Sequence, residues 1–458
     1  MKKIIIALAI VLLVIAALPF VGNQVAEELL GQRIELLNSY GVEAVVSTTD
    51  SSYLETKKHY EFLVKDEKKF ITYLQQFSDE QLPPYTNALL KGTLLGVDAH
   101  YSNLPLSDAI SVDIYPLSLA TELMNEIKEE DAKFFLYLQK FLKSKGVLYH
   151  LNYNVVKDSF DGYIKDIKEQ YIFDDKTEMK LTLLNAIYSG KGPLVAPKAL
   201  VSDIEVMELK ISQGSEHLLF LLKDFSSDAI FKTKSSYLSH ASFGDFSINV
   251  ENLGNDIEVH IVNLSMLVDS NTEGKYAKVS AKNTLESFTL SSPSYEINAT
   301  NFNYDIALSD VDKDSLEELM ELLSPTKGQK SVHLEEKLES TFLNLFSKGL
   351  KIDIEELSLQ NITLNKGHSL EGFSAKSTLH LKPDADFAAK VKNSPMLLLS
   401  NIDIKLNLKF SKNIFVLLRE LNPILFIVQR YAKEDGNSLV FDVTFVNGEL
   451  SVNGKVLK

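Results

Sequence analysis

The segment Ile402-Asp403-Ile404-Lys405-Leu406-Asn407-Leu408-Lys409-Phe410 puts five apolar side chains on one face and four polar ones on the other. A period of two over that length is the pattern of a strand in a sheet with one wet face. The alternation recurs in Phe246/Ile248/Val250, Ile257/Val259/Ile261, Tyr295/Ile297/Ala299 and Tyr304/Ile306/Leu308. The runs follow one another at hairpin spacing, which predicts antiparallel meanders. The repetition is architectural, with no exact repeat of sequence. At the end of the chain Leu439, Phe441, Val443 and Phe445 alternate up to Asn447-Gly448, with Leu450 and Val452 beyond. Asn-Gly between alternating runs marks a tight hairpin.

Helical segments interrupt the sheet. Ser315 to Leu323 and Ser331 to Lys348 read as helices, the second stopped at Gly349. Asn413 to Ala432 is apolar nearly all round, with a break near Pro423, and should be buried across the sheet or cover something apolar. Contact with lipid or a membrane surface is the alternative. In the first half, residues 42–66 read as a hairpin around Thr48-Thr49-Asp50-Ser51-Ser52, followed by a short helix to Phe77. A longer helix is expected over Leu117 to Lys145, ending at Gly146, with a strand from Leu148 to Val156. Ser189-Gly190-Lys191-Gly192-Pro193 is the expected internal boundary, since Gly and Pro punctuate there.

At the amino terminus Lys2 and Lys3 precede Ile4 to Val21, eighteen residues without charge. As a helix they would span roughly 27 Å, close to a bilayer core. The apolar run is longer than that of a secretory signal, and no small-x-small cleavage site follows it. An uncleaved transmembrane anchor over residues 1–21 is expected, with a cleaved signal as the alternative. The lysine pair should stay cytoplasmic, which places the body in the periplasm beside a bacterial inner membrane. Ala26, Leu30, Ile34 and Leu37 continue the anchor as an amphipathic stalk over residues 22–40, ending at Tyr40-Gly41. The stalk either packs on its own domain or pairs in a homodimer.

Composition narrows the chemistry. The 458 residues carry a net charge of −15, which argues against nucleic acid as a partner. Cysteine is absent, excluding disulfides, thiolate metal sites and a cysteine nucleophile. Of 47 basic residues only Arg33, Arg419 and Arg430 are arginine, so planar forks for carboxylate or phosphate are scarce. The nine histidines are scattered, with none of the short spacings of zinc motifs.

One constellation has ligand spacing. Asp310, Asp312 and Asp314, with Glu321 at position twelve, match positions one, three, five and twelve of a calcium loop. Ser315 stands where that loop needs Gly, and a strand rather than a helix precedes it. The competing reading is a helix cap at Asp314 or Ser315, with Glu317 or Glu318 completing a capping box. Calcium is the one cofactor expectation, and no catalytic residues are assigned.

Three parts of the chain resemble the YdgA-like family of bacterial envelope proteins, a family of unknown function. They are the Lys-Lys anchor running through a helix into a hairpin up to Val64, the passage from Leu338-Glu339-Ser340-Thr341-Phe342 through Gly349 to Leu357-Ser358-Leu359, and the closing Asn447-Gly448-Glu449-Leu450-Ser451-Val452-Asn453-Gly454-Lys455. Members often carry Tyr-x-Arg-Gly in the first hairpin. Here that place reads Thr49-Asp50-Ser51-Ser52-Tyr53, which marks a divergent member. The resemblance implies an inner-membrane anchor and a periplasmic body, and supplies no catalytic residues.

The sequence thus predicts an α+β protein. An N-terminal transmembrane helix leads into a large, mainly antiparallel, elongated and curved sheet with helical insertions. A mixed α/β part over 41–190 precedes a β-rich part over 200–458. The expected function is non-catalytic: a groove in the sheet binds an apolar ligand, such as lipid, or an envelope partner. An envelope hydrolase with a carboxylate-based site is the alternative.

Overall fold

The structure, a computed structural model, describes residues 35–74, 90–102, 109–193, 196–233, 235–252, 256–323, 332–365, 367, 369–393, 395–422 and 425–457. The expected anchor and most of the stalk lie outside them. Among the described residues no helix is long and apolar enough to cross a membrane. The described residues form 22 strands, antiparallel wherever a pairing is described, and a smaller number of helices. It divides into two compact units, residues 1–230 with 249–253, and 231–248 with 254–458.

The first unit opens with the last turn of the stalk helix, residues 35–39, stopped at Gly41 with φ +80°. Leu37 is buried against Val42, Phe62 and Phe70, so this turn packs on its own unit. Strands β1 (Val42–Ser51) and β2 (Glu55–Val64) form the expected hairpin, and helix α1 (Glu67–Leu74) follows. The predicted loop Thr48 to Ser51 is strand. Then come β3 (Leu94–Ser102), β4 (Ala109–Ser118), α2 (Thr121–Glu130), α3 (Ala132–Lys143), β5 (Tyr149–Asn154), β6 (Ser159–Ile164), β7 (Ile167–Ile172), β8 (Glu178–Leu184), β9 (Ala186–Lys191), β10 (Ala199–Gln213) and β11 (Glu216–Phe231). The expected single long helix is two, because Asp131 leaves helical geometry at φ −150° and caps α3 by accepting from Phe134 N at 2.8 Å.

Pairing runs β1–β2–β3–β4–β5–β6–β9–β10–β11. Strand β8 continues β9 along the same edge of β10, and β7 pairs with β8. The Gly-Pro segment expected as a boundary is therefore β9 and its exit turn. Gly190 is needed there for space: a Cβ would meet the Phe160 ring at 2.3 Å and the Ala199 carbonyl at 2.6 Å. The core joins α2 and α3 (Met124, Ile127, Phe134, Leu138, Leu142) to β8 and β10 (Met179, Leu181, Leu209).

The second unit holds most of β12 (Tyr237–Glu251), then β13 (Ile257–Asn271), β14 (Tyr276–Ser291), β15 (Glu296–Asp312), α4 (Lys313–Leu323), α5 (Val332–Ser347), β16 (Leu350–Leu364) and β17 (Leu370–Leu381). Helix α6 (Phe387–Asn393) and a 3-10 turn (Pro395–Asn401), neither expected, lead to β18 (Ile402–Ser411). Helices α7 (Lys412–Leu421) and α8 (Leu425–Gln429) precede β19 (Lys433–Asp435), β20 (Ser438–Val446), β21 (Glu449–Val452) and β22 (Lys455–Leu457). Strands β13 to β18 form one meander, and β20 pairs with β18. Asn447 and Gly448 turn with φ +52° and +81°, as the hairpin signal requires.

The sequence runs Tyr295/Ile297/Ala299 and Tyr304/Ile306/Leu308 are parts of one strand region rather than two strands. Asn301, at φ +50°, lies between them within β15 and switches the face that odd and even positions occupy. The same device occurs at Asn185, Asp224 and Asn263, with φ of +47°, +52° and +50°. These positions are 39, 39 and 38 residues apart, a period that the side-chain sequence hides. In the second unit the crossing row is Asn263–Glu286–Asn301–Gln360, flanked on each strand by bridged pairs. Asn263 Nδ2 donates to Glu286 at 2.5 Å, and Asn301 Nδ2 donates to Gln360. In the first unit Asn185 donates to Glu205 in the same way. Asn and Asp tolerate the left-handed region better than other side chains with a Cβ, which explains their selection.

Candidate functional site

The crease keeps the apolar positions of the second unit's strands on one face. Before it, the apolar positions of β13 are Val259 and Ile261; after it they are Leu264, Met266 and Val268. Every strand from β13 to β16 shifts at the same row, so directly paired residues stay matched across the sheet. One row reads Leu264–Leu285–Phe302–Leu359–Phe373–Phe410. The next row on one side reads Ile261–Phe288–Ala299–Ile362; on the other, Met266–Asn283–Tyr304–Leu357, in which Asn283 Nδ2 donates to Tyr304 Oη, lies before Val268–Ala281–Ile306–Ile354. Directly opposed side chains share a face, so these rows make one mostly apolar surface, with the Asn283–Tyr304 pair as its polar island.

Helices cover only part of it. One cluster packs Leu319, Leu345 and Phe387 from α4, α5 and α6 onto Val311, Leu350 and Leu381. Another packs Phe415 of α7 onto Leu439 and Phe441, with Phe410 beside them. Among the described residues Leu264, Leu285, Phe302, Leu359, Phe288 and Ile306 belong to no helix-covered cluster, and they are half-buried. From β13 to β17 the uncovered strip spans about 19 Å at the usual strand spacing. Its side chains offer no charge and few hydrogen-bonding groups, so it suits an acyl chain or another apolar body.

On the opposite face the crease forms a trough of about 690 Å³ lined by Asn263, Thr284, Glu286, Thr300, Asn301 and Gln360, among others. Its lining holds one carboxylate, so it lacks the acid pair that a carboxylate hydrolase needs.

The predicted calcium residues are placed differently from a calcium loop. Asp312 is buried and caps α4, two residues before the expected cap. Its Oδ1 accepts from Ser315 N at 3.0 Å, Ser315 Oγ at 2.8 Å and Lys348 Nζ at 2.6 Å. Burial alone would raise the Asp312 carboxyl, but the Lys348 and Ser315 bonds hold it below the usual carboxylate range. Asp310 is exposed in a left-handed conformation at φ +58°, Asp314 is exposed in the first turn of α4, and Glu321 lies in its last turns. Among the described residues no three acidic or histidine side chains converge as a metal group. The loop geometry thus goes to the helix cap, with the Lys348 ammonium beside the carboxylate a cation would use.

A histidine–carboxylate row was invisible in the sequence. His59, Asp98, Asp113 and His150 pair directly, one to the next, across β2, β3, β4 and β5. His59 Nδ1 lies 2.6 Å from Asp98 Oδ1, and His150 Nδ1 lies 2.7 Å from Asp113 Oδ1. Lys145 Nζ joins the halves, 2.5 Å from Asp98 Oδ2 and 3.8 Å from Asp113 Oδ2. Tyr115 Oη donates to Asp98 Oδ2 at 3.0 Å. Its ring occupies the space over Gly96, where a Cβ would meet it at 2.5 Å. Burial would raise the Asp98 carboxyl, but the bonds from Lys145, His59 and Tyr115 hold it low; burial and the Asp98 charge push the Tyr115 hydroxyl far up. Both carboxylates are engaged by cations and donors, so this row fastens α3 to the sheet rather than presenting a free base. Its members stand 39, 15 and 37 residues apart, and only strand pairing brings them into line.

A family model described as a bacterial protein of unknown function (DUF945) matches residues 175–421, more than half of the chain. No curated protein and no solved structure matches.

Proposed function

This chain belongs to the DUF945 family of bacterial proteins of unknown function; from its own sequence and sheet we propose that it is a membrane-anchored, non-catalytic envelope protein that binds lipid acyl chains along the apolar face of its second unit. The observation that carries this reading is the uncovered row Leu264–Leu285–Phe302–Leu359, kept on one face by the crease. A sheet face with saturated backbone pairing asks only for apolar contact, and acyl chains supply that without bringing polar groups that need partners. The amino-terminal apolar run and its lysine pair support a single-pass inner-membrane anchor with the body in the periplasm. The YdgA-like resemblance fits the same placement as a finer grouping within an uncharacterised bacterial family.

The test is mass spectrometry of lipid extracted from the purified full-length protein, compared with the Leu285→Glu/Phe302→Glu double variant. Lipid in the first and its loss in a folded second supports the reading. Equal lipid in both, or none in the unaltered protein after reconstitution with native lipid, overturns it.

A further inference from the structure

Helices α7 and α8 do not bury their apolar residues as a helix crossing the sheet would. Ile414 and Phe415 are buried, but Val416 is 40% exposed, Phe426 55% and Ile427 59%. Exposed Phe and Ile side by side on a short helix are costly in water unless something covers them. Two of the chain's three arginines stand beside these residues. The Arg419 guanidinium lies 4.4 Å from the centre of the Phe426 ring and donates to Gln429 Oε1 at 2.9 Å. Arg430 is exposed immediately after α8. Among the described residues neither arginine pairs with a carboxylate, whereas nearby Lys409 and Lys412 pair with Asp435 and Glu434. In a chain of net charge −15 with 44 lysines, two of the three planar guanidinium forks, the groups suited to phosphate, stand beside this exposed Phe–Ile pair.

We propose that the α7–α8 corner is a membrane-surface foot, with Phe426 and Ile427 entering the acyl boundary of an anionic bilayer while Arg419 and Arg430 meet its phosphates. Apolar insertion and guanidinium–phosphate attraction act together in interfacial binding, and neither alone is strong. The foot does not depend on the sheet carrying lipid, because it uses different residues and a different readout.

The chain contains no tryptophan, so a single introduced one reports its own surroundings. Full-length Phe426→Trp protein is reconstituted into vesicles of zwitterionic phosphatidylcholine alone, or with phosphatidylglycerol added, each with and without bromine-labelled acyl chains. The control is Ile172→Trp, at a position 62% exposed in the first unit. The expected result is a blue-shifted F426W emission and at least about twofold stronger bromine quenching in the anionic vesicles. High salt or Arg430→Ser in the same background should reverse it, while I172W stays unshifted. F426W emission like that of I172W in both compositions, or equal quenching in neutral and anionic vesicles, overturns the proposal. Circular dichroism of each variant confirms that it is folded.

Discussion

Lys145 Nζ sits 2.5 Å from Asp98 Oδ2, and the residue that supplies it holds a left-handed backbone at φ +56°. It follows the cap of α3: Lys145 N donates to Leu142 O and Gly146 N to Phe141 O, the bonds of a Schellman close. That left-handed place normally takes Gly, and here the Gly comes one residue later. The conformation aims the lysine over the Tyr115 ring, 4.3 Å away, and onto both aspartates.

The arrangement makes Lys145→Ala worse than Lys145→Gly. Both lose a part-exposed ion pair, worth at most about 1 kcal/mol after solvent screening. Only Ala keeps the strain of a Cβ at positive φ, about 1 kcal/mol. Urea unfolding should place the Gly variant above the Ala variant by roughly that amount. An Ala variant as stable as the Gly variant would show that the backbone at 145 is not strained.

Asp98 sets a pH dependence. Its carboxyl is held below its ordinary value, so its contribution is fully present above about pH 4 and is lost as pH falls through the lower folded value. Asp98→Asn should therefore cost stability at pH 7, and the gap between variant and parent should close as pH falls below about 4. Thermal melts across that range decide it; a gap that widens on acidification would reverse the sign.

Local pattern carried the fold as far as a strand keeps its parity. The β18 alternation, the terminal Asn-Gly turn and helices α4 and α5 stand where their sequence signals put them. β15 reads as two strands in the sequence because Asn301 reverses the faces midway, and Asn also reads as an ordinary turn residue. The α2–α3 break is hidden in the sequence because Asp131 is a cap inside a run of helical periodicity. The His59–Asp98–Asp113–His150 row needed strand register, which one sequence does not reveal. The apolar face was half legible: its alternation was visible, but not which rows the helices leave open.

Asn301 tests the crease. Replacing it by Gly keeps access to the left-handed region, while Ala does not and also removes the bond to Gln360. Asn301→Ala should lose about 1–2 kcal/mol, and Asn301→Gly less than about 1. If both variants melt together, the left-handed conformation at this row contributes nothing, and the shared face shift must be held by the flanking pairs alone.

Asp312 separates a cap from a calcium ligand. Its Oδ1 serves α4 and Lys348 simultaneously, so Asp312→Ala removes a cap and leaves an ammonium without its partner. Loss of such a cap costs about 1–2 kcal/mol, and the melting temperature should drop in calcium and in chelator alike. For the unaltered protein, calcium must displace the Lys348 ammonium, 2.6 Å away, before it can reach this oxygen. Millimolar calcium should therefore leave the melting temperature where chelator leaves it. Lys348→Met removes the competitor while keeping an unbranched side chain of similar length. If calcium raises the melting temperature of that variant but not of the parent, the acidic spacing at 310, 312, 314 and 321 is a cation site held shut by one lysine. If neither responds, the spacing belongs to the helix start alone. A rise in the parent would mean that Lys348 yields to the ion.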